Sequence, residues 1–295
     1  MIRGAIVALV TPFRDGKVDE RALRALIEFQ VANGTHAIVP CGTTGESATL
    51  SHEEHDRVIA LTVEAVAGRI PVYAGTGSNS TAEAIRMTRH AEQVGANGAL
   101  LVTPYYNKPT QEGLYQHYRA VAESTSLPLI LYNVPGRTSV NMLPETVARL
   151  AQLKNVVAVK EASGSLAQAT EILTLCGEGF SVLSGDDPIT LPILAVGGRG
   201  IVSVVSNIAP RDVSDLCNAW DAGDLKRARD LHLRMFPLAQ AMFLETNPIP
   251  VKTALAMMGK ITEEFRSPLC PMAAGTRAKL DKVLREYGLL GAGAK

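Results

Sequence analysis

Asn155-Val156-Val157-Ala158-Val159-Lys160-Glu161-Ala162-Ser163 is the stretch of sequence that decides the fold. Its run of small and β-branched apolar residues, without polar alternation, predicts a strand that is buried on both faces. Lys160 follows this run directly. Such a lysine must extend to solvent beside Glu161, pair with an acid, or lie desolvated as a neutral amine that attacks carbonyl groups. From this stretch alone the outward orientation is the simpler interpretation, and other segments of the chain argue against it.

Strands of the same kind recur along the chain, each followed by a segment with apolar residues at helical spacing. They are predicted at 5–10, 37–40, 71–75, 99–103, 129–134, 156–160, 180–184 and 201–205. Because parallel strands with right-handed crossovers close most naturally at this number, the pattern predicts a (β/α)8 TIM barrel. A doubly wound open sheet is the alternative. After Gly223 only helical patterns follow, so we expect a catalytic barrel over residues 1–224 and a C-terminal helical domain over residues 225–295.

The composition is that of a soluble globular protein. The chain has 295 residues, with 29 basic and 29 acidic side chains and 46% hydrophobic residues. No basic run suggests nucleic acid, and no apolar run reaches the ~18–20 residues that a membrane helix needs. The first residues lack the pattern of a signal peptide, and the four cysteines are scattered. We therefore expect a cytoplasmic protein that binds neither nucleic acid nor membrane.

A barrel of this kind places its site at the carboxyl ends of its strands. The loop at 42–47 has glycines that would let backbone N–H groups converge on an anion, although an ordinary strand-to-helix turn explains it equally well. No metal is expected, because His52-Glu53-Glu54-His55 is one residue short of the zinc-binding spacing and no Cys/His cluster occurs. An aldol-type reaction without a metal needs another electron sink, which a lysine Schiff base supplies.

Several segments together resemble the dihydrodipicolinate synthase family of pyruvate-dependent class I aldolases. They are Gly42-Thr43-Thr44-Gly45-Glu46, Tyr132-Asn133-Val134-Pro135-Gly136-Arg137-Thr138, Val159-Lys160-Glu161, Ser184-Gly185-Asp186-Asp187 and Asn247-Pro248-Ile249-Pro250-Val251-Lys252. The resemblance covers nearly the whole chain. It implies condensation of pyruvate with L-aspartate 4-semialdehyde in lysine and diaminopimelate biosynthesis, through a covalent Schiff base and without a cofactor.

The resemblance also implies a role for particular residues. Lys160 would form the imine with pyruvate, and Tyr132 would shuttle protons with Thr44 and Tyr106 as relay partners. The remaining implied substrate contacts are the backbone of Thr43 and Thr44 for the pyruvate carboxylate, Gly185 and Val202 beside Lys160, and Arg137 for the semialdehyde carboxylate. A guanidinium suits that last contact because it binds a carboxylate through two parallel hydrogen bonds.

Assembly and regulation are implied by the same resemblance. The tyrosine that matches Tyr106 comes from a neighbouring subunit, so a homotetramer built from two dimers is expected. L-Lysine is expected as an inhibitor, bound by Ser47, Ala48, His52, His55, Asn79, Glu83 and Tyr105. A simpler interpretation is that His52 and His55 only occupy the exposed start of a helix, where residues at i and i+3 share a face.

Other functions stay open at this point. N-acetylneuraminate lyase and 2-keto-3-deoxygluconate aldolase share the lysine and tyrosine, but a cationic residue for a second carboxylate favours the synthase. A barrel that senses a keto acid or an amino acid without catalysis would not need both a nucleophile and a proton relay.

Overall fold

The computed structural model describes residues 1–291, and its centre is a barrel of eight parallel strands. The strands are β1 Gly4–Ala8, β2 Ala37–Val39, β3 Tyr73–Gly75, β4 Gly98–Val102, β5 Leu129–Asn133, β6 Val156–Glu161, β7 Ser181–Ser184 and β8 Gly200–Ser203. They are hydrogen-bonded in the order β2-β1-β8-β7-β6-β5-β4-β3. A parallel bridge between Ile38 and Val72 joins the two ends of this sheet. The (β/α)8 barrel is therefore confirmed, and the open sheet is wrong.

A helix follows each strand and covers the outside of the barrel. These helices are α1 Glu20–Ala32, α2 His52–Val66, α3 Thr81–Gln93, α4 Gln111–Glu123, α5 Pro144–Leu150, α6 Leu166–Cys176, α7 Thr190–Ala195 and α8 Pro210–Asp221. Three more follow, α9 Leu225–Ala241, α10 Ile249–Met257 and α11 Ala274–Tyr287. Within residues 1–291, no helix is both long enough and apolar enough to cross a bilayer.

Alternate residues of each strand face the barrel interior and the surrounding helices. In β1, Ile6 and Ala8 belong to the interior cluster, whereas Ala5 and Val7 pack toward the helices. Tyr132 and Val202 lie in the same interior cluster as Ile6. Because both faces are covered, the strands contain the continuous apolar runs that the sequence shows.

Two short elements were not predicted from the sequence. Phe13–Arg14 and Lys17–Val18 form an antiparallel hairpin, and Pro135–Thr138 is a single helical turn after β5. Asp15 and Gly16 in the hairpin have φ angles of 53° and 75°, the left-handed conformation that two-residue hairpin turns require. The Asp-Gly pair was therefore the only sequence signal for this hairpin turn. The flanking strands have two residues each, which is too few to show an alternation of apolar and polar residues.

The three C-terminal helices pack on the barrel instead of forming a separate core. Leu238 of α9, Leu255 of α10 and Leu280 of α11 are buried in one apolar cluster with Leu216 of α8 and Val7 of β1. The division into residues 1–224 and 225–295 stays a prediction, and its last residues, 292–295, lie outside the described part of the chain.

A buried ion pair joins α10 to the loop after β2. Lys252 is fully buried, and its ammonium donates a hydrogen bond to the Glu46 carboxylate, which is also buried. Glu46 accepts a second hydrogen bond from the backbone N–H of Arg266 at 3.1 Å. The Lys252 Nζ atom lies 4.3 Å from the centre of the Phe13 ring. Burial lowers the pKa of Lys252, and the Glu46 carboxylate opposes that shift.

Breaking this ion pair on one side should destabilise the protein strongly. Lys252→Met leaves the Glu46 charge buried without a cation, so we expect the free energy of unfolding to fall by about 3–5 kcal/mol. The double variant Glu46→Gln/Lys252→Met removes both charges and should recover at least half of that loss. Urea unfolding at a fixed protein concentration measures both values. Small losses from Lys252→Met and from Glu46→Gln alone that add up to the loss in the double variant would show that the charges are not coupled.

Candidate active site

The carboxyl ends of the strands surround a cavity of about 490 Å³, which we call the Lys160 cavity. Its lining contains Thr43, Thr44, Tyr132, Arg137, Lys160 and Gly185. Lys160 and Tyr132 come from neighbouring strands and occupy paired positions in the β5–β6 register. The sequence-predicted nucleophile and proton shuttle therefore lie side by side at the bottom of one cavity.

Lys160 is 5% exposed, and its Nζ atom lies 4.1 Å from the centre of the Tyr132 ring. Within residues 1–291 it forms no ion pair. The adjacent carboxylate of Glu161 is buried as well but accepts hydrogen bonds from Asn133 Nδ2 at 3.1 Å and Ser163 N at 2.6 Å. The outward orientation of Lys160 beside Glu161 is therefore wrong. A buried amine without a carboxylate partner can act as a nucleophile toward a carbonyl carbon.

Gly185 leaves the space that the Lys160 side chain occupies. A Cβ atom at this position would lie 3.1 Å from Lys160 Cε and 2.6 Å from Ala162 Cβ. Any larger residue would therefore displace the lysine or the chain beside it. Val202 lies in the interior cluster with Tyr132 but, within the described residues, does not line the cavity.

The loop after β2 lines the cavity with Thr43 and Thr44. Within residues 1–291, the N–H groups of Thr43 and Thr44 donate to no protein acceptor. Glu46, in the same loop, has a φ angle of 51°, a left-handed conformation that costs energy for a residue with a Cβ atom. Its ion pair with Lys252 holds this conformation. Two free N–H groups beside a buried amine can bind a carboxylate.

Arg137 lies at the mouth of the cavity, on the short helix Pro135–Thr138. Its Nη2 atom donates to the backbone oxygen of Asn247 at 3.1 Å, and its side chain is otherwise open to solvent. The Asn247 amide in turn donates from Nδ2 to Thr44 Oγ1 at 3.1 Å. Thr44 is 2% exposed, so its hydroxyl is fixed by this contact.

No role was predicted from the sequence for Asn247, Asp186 or Asp187. Asp186 lines the cavity, and burial raises the pKa of its carboxyl group. Asp187 accepts hydrogen bonds from Ser203 Oγ at 2.5 Å and Val204 N at 2.9 Å, which fixes the loop after β8. All three residues stand in the quoted motifs, which was the only signal available for them.

Tyr106 does not reach the Lys160 cavity of its own chain. Its side chain is 91% exposed, and its φ angle is 72°. An exposed aromatic ring on a strained backbone is costly for an isolated chain. The expectation that Tyr106 completes the site of a neighbouring subunit stays a prediction.

A second cavity of about 470 Å³ lies beside the first. It is lined by Ser47, Ala48, His52, His55, Glu83 and Tyr105, which are six of the residues that the sequence analysis grouped for lysine. Asn79 stands next to this set, with its Nδ2 atom donating to the Tyr105 backbone oxygen at 3.2 Å. Thr43, Val134, Arg137 and Asn247 line both cavities and form the wall between them.

The second cavity contains groups that can bind an ammonium ion. His55 is buried, not exposed, so the interpretation that it only occupies a helix surface is wrong. Its Nε2 atom lies 2.9 Å from the Gly75 backbone oxygen and must donate to it. Burial lowers the pKa of His55, which favours the neutral ring, in which Nδ1 is an acceptor. Within residues 1–291, Nδ1 has no hydrogen-bond partner and lies 3.8 Å from Asp56 Oδ1.

Glu83 supplies the negative charge of this cavity. Its Oε2 atom accepts from Ser78 Oγ at 2.7 Å, which orients the carboxylate. Burial, together with the Glu83 charge, raises the pKa of the Tyr105 hydroxyl. Within the described chain there is no group of three or more His, Cys, Asp or Glu side chains that could bind a metal ion.

Comparison with known proteins gives one consistent result. Residues 1–287 match the model of the dihydrodipicolinate synthetase family. The 4-hydroxy-tetrahydrodipicolinate synthase of Syntrophus aciditrophicus is 62% identical over 291 residues, which cover 99% of this chain and 100% of the relative.

Solved structures agree with that match. The crystal structure of dihydrodipicolinate synthase from Aquifex aeolicus superposes with a TM-score of 0.96 at 52% identity, covering 98% of this chain and 99% of the other. The crystal structure of the dihydrodipicolinate synthase (DHDPS) from Cyanidioschyzon merolae with lysine bound superposes with a TM-score of 0.95 at 42% identity. The match covers 98% of this chain and 99% of the other. This chain therefore belongs to the dihydrodipicolinate synthetase family.

Proposed function

We propose that the protein is a 4-hydroxy-tetrahydrodipicolinate synthase that condenses pyruvate with L-aspartate 4-semialdehyde. The observation that carries the proposal is the buried Lys160 amine, which lies against the Tyr132 ring in a cavity that also holds the free N–H groups of Thr43 and Thr44. Its family relatives with that name extend over the same length of chain. We propose that no external cofactor takes part.

The reaction begins with pyruvate. Its carboxylate binds the Thr43 and Thr44 N–H groups, which places the keto carbon near Lys160 Nζ. The amine attacks that carbon, and loss of water leaves an imine. The imine nitrogen withdraws electrons, so a proton leaves the pyruvate methyl group and an enamine forms. Lys160 is thus both the nucleophile and the electron sink.

The second substrate enters above the enamine. Its carboxylate binds the Arg137 guanidinium at the mouth of the cavity, which turns the aldehyde toward the enamine carbon. That carbon forms the new C–C bond, and the aldehyde oxygen takes up a proton to become a hydroxyl. The amine of the semialdehyde then attacks the imine carbon, which closes the ring and releases the Lys160 amine. One water has left in the overall reaction.

Tyr132 is the group we assign to proton transfer in these steps. Its ring lies directly over Lys160 Nζ, so its hydroxyl is close to the atoms that gain and lose protons. A phenol has a pKa near ~10 in water and needs partners to act as both acid and base. We assign that relay to Thr44 and to Tyr106 of a neighbouring subunit, in a tetramer built from two dimers.

Regulation by L-lysine is the second part of the proposal. The second cavity offers the Glu83 carboxylate and the acceptor Nδ1 of His55 for ammonium groups, and the Tyr105 hydroxyl as a donor for a carboxylate. The Cyanidioschyzon merolae relative was crystallised with lysine. Four free cysteines agree with a cytoplasmic location, which we also propose.

The Schiff base can be trapped directly. Pyruvate with borohydride should inactivate the protein and add one reduced pyruvyl group to Lys160, measured by peptide mass spectrometry. Lys252 is an internal control, because it is buried but held by Glu46. Label on a lysine other than Lys160, or no label at all, would refute the mechanism.

The shared site can be tested by mixing inactive chains. Tyr106→Phe and Lys160→Ala proteins should each be inactive or slow, but a mixed dimer contains one site with both groups. After subunit exchange at equal amounts, activity should rise to about a quarter of the parent value, since about half of random dimers are mixed and each restores one site of two. The control mixes Lys160→Ala with the double variant Tyr106→Phe/Lys160→Ala. If no activity returns although subunit exchange has been demonstrated, the proposal is wrong and Tyr106 acts within its own chain.

Inhibition by lysine should depend on Glu83. Glu83→Ala removes a charged hydrogen-bond acceptor, so the lysine concentration for half-inhibition should rise about ten- to a hundredfold while the uninhibited rate is kept. Glu145→Ala is the matched control, because Glu145 is also in the first turn of a helix but lies outside the cavity. An unchanged rate of the parent at millimolar lysine, with no heat of binding, would contradict the proposal.

A further inference from the structure

Glu161 follows the nucleophile Lys160 in β6, and the proposed mechanism gives its buried carboxylate no role. The side chain is 2% exposed, and within residues 1–291 its hydrogen-bond partners include no cation. A buried carboxylate is costly unless hydrogen bonds replace the water that it has lost. Three donors do so here, namely Ser163 N at 2.6 Å, Asn133 Nδ2 at 3.1 Å and Gln168 Nε2 at 3.1 Å.

The amide orientations around this carboxylate follow from a backbone N–H group, which can only donate. Met142 N donates to Asn133 Oδ1 at 2.9 Å. Asn133 therefore turns its Nδ2 atom toward Asn141 Oδ1, at 2.8 Å, and toward Glu161. Asn141 Nδ2 then donates to Gln168 Oε1 at 2.8 Å, which leaves Gln168 Nε2 for Glu161. Only donors thus point at Glu161 in the described chain, and a charged carboxylate is the side chain that accepts from all of them.

The network joins the two strand ends that carry the central groups of the Lys160 cavity. Asn133 and Glu161 are paired in the β5–β6 register, one position beyond the pair of Tyr132 and Lys160. Because successive side chains of a strand alternate, the second pair faces the cavity and the first pair lies on the opposite face. The backbone continues the attachment, since Ala162 N donates to Asn133 O at 2.9 Å.

The same hydrogen bonds close the segment that follows β5. Asn133 and Met142 are joined at the two ends of residues 134–141. From the outside, Gln111 of α4 donates from Nε2 to Asn141 O at 2.8 Å. A shift of the end of β5 relative to β6 would therefore break several of these bonds at once.

We propose that Glu161 is a positioning residue for proton transfer, because its carboxylate holds the ends of β5 and β6 together and so fixes the Tyr132 ring over Lys160 Nζ. This inference rests on the proposed function and deepens it. When the enamine forms, a proton leaves the pyruvate methyl group while the imine stays on Lys160, so the Tyr132 hydroxyl and the imine nitrogen must keep their separation. Glu161 touches no reacting atom and acts only through these two residues.

Exchange of the pyruvate methyl protons with deuterium measures this step without the second substrate. In D₂O each cycle of enamine formation and reversal replaces a methyl proton, which NMR detects. Glu161→Gln keeps the size of the side chain but turns an N–H group toward other donors. We expect the exchange rate at saturating pyruvate to fall about ten- to a hundredfold, as for a misplacement of about 1 Å.

Borohydride trapping shows whether Lys160 itself is intact. In Glu161→Gln the amount of pyruvate trapped on Lys160 at saturation should match that of the parent, because the amine is kept. An unchanged exchange rate would overturn the inference. A loss of trapping equal to the loss of exchange would overturn it as well, since the defect would then be in the nucleophile and not in proton transfer.

Glu161→Asp tests the acceptor apart from its reach. It retains a group that only accepts, so its exchange rate should lie between those of the parent and Glu161→Gln. A rate no higher than that of Glu161→Gln would contradict the proposal. If neither variant folds, Gln168→Ala replaces them, because this half-buried position on α6 supplies one of the three donors. Its exchange rate should fall severalfold, and an unchanged rate would contradict the proposal.

Glu92→Gln is the matched control, because Glu92 is a carboxylate with similar partners before the opposite end of β5. It accepts hydrogen bonds from Ser126 N and Thr125 Oγ1, both at 2.9 Å. Urea unfolding should show a loss of stability in Glu92→Gln, with exchange and trapping unchanged. Equal slowing of exchange in Glu92→Gln and Glu161→Gln would mean a general effect of stability and would overturn the inference. A parent protein that traps no pyruvate would refute the proposed function, whereas a parent that exchanges no faster than Glu161→Gln would refute only this inference.

Discussion

The buried ion pair between Glu46 and Lys252 is the interaction on which the site depends. It joins a loop at one strand end to a helix more than 200 positions further along the chain. The loop has a left-handed residue at Glu46, and only a strong internal partner can hold it there. Because the pair fixes the loop, the N–H groups of Thr43 and Thr44 keep their direction, and Asn247 meets the Thr44 hydroxyl. The C-terminal part of the chain therefore helps to shape the cavity and does not only cover the barrel.

The barrel could be predicted from the sequence because its physical cause is local. A strand that is covered on both faces must be apolar throughout, as Val156 to Val159 are, and a helix must show its apolar residues at every third or fourth position. The hairpin at Phe13–Arg14 and Lys17–Val18 could not be predicted in this way. Two residues are too few to show a period, and its turn signal, Asp15-Gly16, also occurs in ordinary loops.

The site could be predicted only in part. Lys160 and Tyr132 lie near the carboxyl ends of apolar strands and Arg137 follows one, so the barrel topology alone brings them to one end. Thr44 and Asn247 are far apart in the sequence, and no periodic pattern of residues predicts that they are in contact. His55 is buried, although its position at the start of a helix suggested that it is exposed. Tyr106 shows a different limit, since one chain contains no information about the groups that a second chain would place against it.

The wall shared by the two cavities has a thermodynamic consequence. Arg137 and Asn247 line both cavities, so a ligand that shifts them from one cavity would also change the groups that a ligand in the other cavity meets. Linkage makes such an effect reciprocal: if occupancy of the second cavity weakens binding beside Lys160 by some factor, occupancy beside Lys160 weakens binding in the second cavity by the same factor. In that case the common wall would itself be the coupling, and no separate moving element would be needed. The sensitivity of the protein to an effector would then vary with the concentration of its substrates.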